Sequence, residues 1–64
     1  KKIEVSNLSS ISDKFKNLLI DNNITDTSIF LETDKDILLT IKGFGEKTLE
    51  KITENIKEEI KNIN

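Results

Sequence analysis

Leu38-Leu39-Thr40-Ile41-Lys42-Gly43-Phe44-Gly45-Glu46-Lys47-Thr48-Leu49-Glu50-Lys51-Ile52 is the stretch whose reading decides the fold. Its two glycines are the only two in the chain, and they flank a single aromatic residue. Apolar residues recur at helical spacing on both sides. Glycine reaches positive φ without a Cβ clash and lets another backbone come close. One Gly just after a helix and another just before the next therefore suits a tight turn between two helices. Phe44 is expected to fold inward and plug that turn. The N–H groups from Gly43 to Lys47 then open a helix, where unpaired donors and a partial positive charge suit a phosphate.

Downstream of the turn, Leu49, Ile52, Ile56, Ile60 and Ile63 recur at spacings of 3, 4, 4 and 3, which predicts one helix from Glu46 to about residue 62. Glu46, Glu50, Glu54 and Glu58 form a row along it that reads as a solvated face balanced by neighbouring Lys. Upstream, Thr33 with Asp36 resembles a capping box opening a third element, with Ile37, Leu38 and Ile41 as its buried face. Before it a short helix is expected over 27–32, capped by Asp26 or Thr27, with Ile29, Phe30 and Leu31 as its apolar centre. An earlier helix starts at Ser12, places Ile11, Phe15, Leu18 and Leu19 on one face, and ends at Asn22-Asn23, with Ile24 tucking back. Residues 1–9 read as an irregular or single-turn lead-in, although the alternation of Ile3 and Val5 also permits a short strand. Lys1 and Lys2 are expected to fray. The fold class is therefore all-α: a compact four-to-five-helix domain with a longer C-terminal helix.

A shift of 33 residues lays the first half of the chain on the second. Val5 falls on Leu38, Leu8 on Ile41, Ile11 on Phe44, Lys14 on Lys47 and Leu19 on Ile52, while Ser10 and Ser12 fall on Gly43 and Gly45. The expectation is a single domain over 1–64, with a degenerate first hairpin at 5–19, a connecting helix at 27–32 and an intact second hairpin at 38–52.

The run Leu38-x-x-Ile41-x-Gly43-Phe44-Gly45-x-x-x-Leu49-x-x-Ile52 resembles the helix-hairpin-helix motif. That family holds a DNA phosphate on the hairpin's backbone amides, and paired hairpins straddle the minor groove with one on each strand. Over roughly residues 8–57 the chain also resembles the C-terminal domain of the bacterial RNA polymerase alpha subunit, a member of the SAM-like superfamily. The likeness rests on Ile11-Ser12-Asp13-Lys14, Asn17-Leu18-Leu19, Asn23-Ile24-Thr25, Thr33-Asp34-Lys35-Asp36 and Phe44-Gly45-Glu46-Lys47-Thr48-Leu49. It implies DNA contacts at Lys14, Asn17, Gly45, Lys47 and Thr48. The departures are Lys14 in place of the family's minor-groove Arg, Glu46 in place of a basic residue, Gly43 in place of an Asn, and one residue inserted before the hairpin. They point to a relative within the superfamily, where similar modules serve recombination, DNA repair and transcription. The acidic repeats of the NusA elongation factor, which bind proteins, belong to the same group.

Composition sets the outer limits. The chain has 64 residues, enough for one small core. Without Cys or His it has no thiolate ligand, disulfide or imidazole base, and no Ser, Thr or Asp has a partner to activate it. The expectations are no enzyme activity, no metal and no cofactor. No apolar run approaches the ~20 residues of a membrane span, so an intracellular module is expected, cytoplasmic in a bacterium or archaeon, or nuclear. The absence of an initiator Met reads as a domain of a longer chain, and a monomeric module is expected. Ten Lys, no Arg and twelve acids give a net charge of −2, against the basic balance usual for a nucleic-acid binder.

The expected function is a DNA-binding module that grips the phosphate backbone of duplex DNA across the minor groove, largely independent of sequence. The alternative is a protein-interaction module of the same fold that has lost DNA. Candidate DNA-binding residues are Lys14, Asn17, Lys42, Gly43, Gly45, Lys47, Thr48 and Lys51. Each has a plainer reading. The glycines can serve the turn alone, the lysines can be solvated surface, and Thr48 can fill the small slot between crossing helices.

Overall fold

The computed structural model describes residues 2–62. Its elements are a 3-10 turn Val5–Asn7, then α1 Asp13–Asp21, α2 Thr27–Glu32, α3 Lys35–Leu38 and α4 Glu46–Asn62. The domain is all-α. Lys1 and the last residue of the α4 stripe, Ile63, lie outside the described residues.

α1 ends as its sequence suggests. Asn23 takes φ +66°, Asn23 N donates to Ile20 O, and Ile24 N donates to Leu19 O at 2.9 Å. This pair of bonds is the Schellman closure, and it turns Ile24 into the core. Ser12 occupies the N-cap position of α1, but its side chain makes no capping bond. Asp26 caps α2 by accepting from Ile29 N at 2.9 Å.

The lead-in is tied down from Ile3 onward. Ile3 N donates to Thr27 Oγ1 at 2.9 Å, Thr27 N to Ile3 O at 3.0 Å, and Val5 N to Thr25 O at 2.9 Å. Glu4 and Asp26 thus form an isolated antiparallel bridge, and Lys2 Nζ lies 3.6 Å from the Asp26 carboxylate. The Ile3–Val5 alternation is used for one rung, after which the chain turns.

Helical rotation corrects three expected core positions. Neighbours on a helix point about 100° apart, so Ile29, Phe30 and Leu31 cannot all face one core. Phe30 is buried, while Ile29 and Leu31 are exposed, and so is Ile37 beside buried Leu38. The Thr33–Asp36 capping box does not form either. Thr33 Oγ1 instead donates back to Ile29 O at 2.7 Å, the N-cap of α3 is Asp34, and α3 stops after one turn instead of reaching Gly43. The core gathers Val5, Leu8, Ile11, Leu19, Ile24, Phe30, Leu38, Ile41, Phe44, Leu49, Ile52 and Ile56.

Candidate nucleic-acid interface

Two turns precede the two longer helices. Residues 8–12 lead into α1 and residues 41–45 into α4. Helix starts at Asp13 and Glu46 stand 33 positions apart. The positions aligned by that shift are buried on both sides: Val5 and Leu38, Leu8 and Ile41, Ile11 and Phe44, Leu19 and Ile52.

In the second turn Gly43 adopts φ +105°, and a Cβ there would lie 3.0 Å from Leu18 Cδ1 of α1. The residue type is thus set by conformation and by close packing together. Gly45 differs: its φ is not in the left-handed region, and a Cβ would meet nothing within 4 Å. The first backbone bond of α4 is Leu49 N to Gly45 O at 2.9 Å. Ahead of it, the N–H groups of Gly45, Glu46, Lys47 and Thr48 have no acceptor among the described residues. Gly45 has no side chain to cap them. The positive end of α4 is therefore open to solvent.

Phe44 is buried and packs its ring on Phe15 of α1, with centroids 5.5 Å apart and planes tilted by 31°. Lys14 Nζ sits 5.9 Å from the Phe15 centroid, at the outer reach of a cation–π contact. Beside this pair runs a groove of about 270 Å³, lined among others by Ser10, Ser12, Phe15, Thr48, Lys51 and Asn55. Thr48 and Lys51 are thereby brought against the first turn, while Lys14 does not line the groove. Asn17 is exposed, and its side chain has no hydrogen-bond partner among the described residues. Lys42 and Lys47 are exposed and do not line the groove. Among the described residues, Lys14, Lys42, Lys47 and Lys51 have no ion-pair partner. The carboxylate of Glu46, the first residue of α4, lies 3.8 Å from Lys35 Nζ of α3. That pair is largely exposed and weak. No group of three or more potential metal ligands gathers among the described residues.

The first turn holds a feature that sequence reasoning missed. Ser10 aligns with Gly43, yet its amide is not open. Instead Glu59 of α4 takes the Ser10 amide at 2.9 Å and the Ser9 amide at 2.9 and 3.2 Å, and its Oε2 also accepts from Ser9 Oγ at 3.1 Å. Ser10 Oγ donates to Asn55 O and Asn55 Nδ2 donates to Ser10 O, each at 3.3 Å. Burial pushes the Glu59 carboxyl up, but the hydrogen bonds from Ser10 and Ser9 outweigh it and hold its pKa below the ordinary glutamate value. A signal was present. Glu59 stands three residues after Ile56 and seven after Ile52, so it lies on the buried stripe and not on the solvated row.

No protein-family model matches the chain, and no curated protein and no solved structure matches it.

Proposed function

We propose that this domain is a non-enzymatic DNA-binding module that grips the phosphate backbone of a duplex across the minor groove, with little dependence on sequence. The observation that carries the reading is the start of α4. Four consecutive amides lack an acceptor among the described residues, Gly45 leaves the approach to them clear, and Lys42, Lys47 and Lys51 stand nearby without ion-pair partners. A phosphate there gains charge-assisted hydrogen bonds from backbone donors, which carry no base information. Lys14 and Asn17, one helical turn apart on α1, supply the contact to the second strand, in keeping with paired helix-hairpin-helix units and with the polymerase alpha-subunit domain that the sequence resembles. Few cations take part, so affinity is micromolar or weaker, and a tether to further binding modules raises it.

Titration with a short AT-rich duplex at low salt, followed by amide NMR, tests this. Shifts confined to residues 10–17 and 42–51 are expected; no perturbation at millimolar duplex overturns the reading. Lys47→Glu weakens binding to all sequences alike.

One observation favours the alternative, an acidic protein-interaction module. Ile37 is 56% exposed and Leu31 45% exposed, and a groove of about 450 Å³ between α3 and α4 is lined by Leu38 and Leu49 together with Glu50 and Glu54. Shifts in that groove with a basic protein partner, and none with duplex, select it.

A further inference from the structure

The turn ahead of α1 already holds an anion. Two consecutive amides and the Ser9 hydroxyl converge on the Glu59 carboxylate through four hydrogen bonds of 2.9 to 3.2 Å. Adjacent N–H groups backed by a hydroxyl are the donor set that cradles an oxyanion. The 33-residue shift sets Ser9 and Ser10 on Lys42 and Gly43, whose amides have no acceptor among the described residues. The same backbone position is thus filled in one turn and empty in the other. Glu59 comes from 50 residues away along the chain, and no Lys among the described residues pairs with it. Neutral donors alone hold it. Ser9 and Ser10 are exposed, so a ligand can reach the cradle from solvent.

We propose that the Ser9–Ser10 turn is a second oxyanion site occupied in cis by Glu59, and that a phosphodiester enters it only by displacing that carboxylate. Glu59 acts as a tethered competitor present at high effective concentration. In the resting domain the Ser9–Ser10 cradle is filled while the matching Lys42 and Gly43 amides have no acceptor among the described residues, and the first turn adds its backbone grip to the Lys14 and Asn17 contacts when Glu59 swings out. The phosphodiester identity rests on the nucleic-acid reading above; the oxyanion cradle does not.

Inorganic phosphate at constant ionic strength, followed by amide NMR, tests the cradle. In Glu59→Ala the Ser9 and Ser10 amides shift saturably, with an apparent affinity about tenfold or more above wild type. Glu58→Ala makes the same change in net charge on the exposed face of α4 and behaves like wild type. Glu59→Gln keeps the side-chain length and one acceptor, and it shows the same gain in smaller measure should the alanine variant lose its fold. Unmoved Ser9 and Ser10 amides in a folded Glu59 variant overturn the proposal, and so does an equal gain in Glu58→Ala. A duplex arm separates the two readings. Duplex shifts at 42–51 in wild type, with no gain at Ser9 and Ser10 in the Glu59 variants, sink only the gated site. Phosphate shifts at Ser9 and Ser10, with no duplex shifts anywhere, sink only the DNA reading.

Discussion

The turn before α1 and the turn before α4 occupy equivalent places 33 residues apart, yet they satisfy their backbone donors in opposite ways. The first has serines where the second has glycines, and it closes on a carboxylate of its own chain. The second leaves the matching Lys42 and Gly43 amides without an acceptor among the described residues. Closing a donor cluster internally stabilises the fold and spends the site. Leaving it open costs stability and keeps the donors available to a ligand. One small domain thus shows both outcomes of the same backbone geometry, and changes at the two turns should have different consequences.

The largest effect belongs to the contact that joins the turns. Phe44 is buried and stacks on Phe15. Phe44→Ala removes a large apolar group and leaves a cavity, for a loss of about 3–5 kcal/mol. In a domain of this size that is most of the stability available, so thermal melts should show an unfolded or barely folded chain at 25 °C. Ile11→Ala, at the equivalent position in the first turn, should cost less, about 2–4 kcal/mol. An equal or greater loss there would mean that the first turn, not the second, anchors the junction.

Gly43→Ala comes next. Its φ of +105° and the 3.0 Å approach to Leu18 make the added methyl both strained and crowded. A loss of about 1–3 kcal/mol is expected by denaturant unfolding. The serine at the matching position in the first turn, Ser10, has no positive φ and can lose its hydroxyl at small cost. The two turns are therefore alike in burial pattern but not in backbone conformation.

These residues also mark how far the sequence can be read. The helical stripe Leu49–Ile52–Ile56, the Asn23 closure, the Asp26 cap and the glycine turn were all legible, because each is a local pattern with a local cause. Exposure of Ile29, Leu31 and Ile37 was not, because in a helix of one or two turns the choice of inward residue depends on where neighbouring elements lie. The Thr33–Asp36 box failed for a different reason: the hydroxyl had a nearer acceptor one turn back, at Ile29 O. Of the candidate site, the open turn and its lysines followed from glycine and helix-start chemistry. The grip of Glu59 on Ser9 spans 50 residues, and no window along the chain contains both partners.

Glu59→Ala strips the first turn of its anion. The bonds are partly exposed, so the loss is about 1–2 kcal/mol. Its pH dependence carries a definite sign. The folded-state pKa of Glu59 is depressed, so its stabilisation is fully present above the ordinary glutamate pKa and fades as pH falls through the folded value. Acid unfolding of wild type should therefore include a component that Glu59→Gln lacks. Parallel stability–pH curves for the two proteins below neutral pH would mean that the carboxylate is not held in solution.

The smallest stability change is the most informative about function. Gly45→Asp puts a capping carboxylate on the bare start of α4, where a Cβ meets nothing within 4 Å. Asp is among the best N-cap residues, and a negative charge suits a helix N-terminus, so a gain of a few tenths to about 1 kcal/mol is expected. The side chain would take amides that a phosphate needs and would repel the phosphate as well. The start of α4 would then be more stable and self-occupied, unlike the start of α1, where Ser12 makes no capping bond. Duplex binding should fall at least tenfold while the melting temperature rises. Gly45→Asn caps with little added charge and separates the two causes. If binding falls equally in both variants, occupation of the amides is what the ligand contests. If it falls only with Asp, charge near the helix start is decisive and the amides are bystanders.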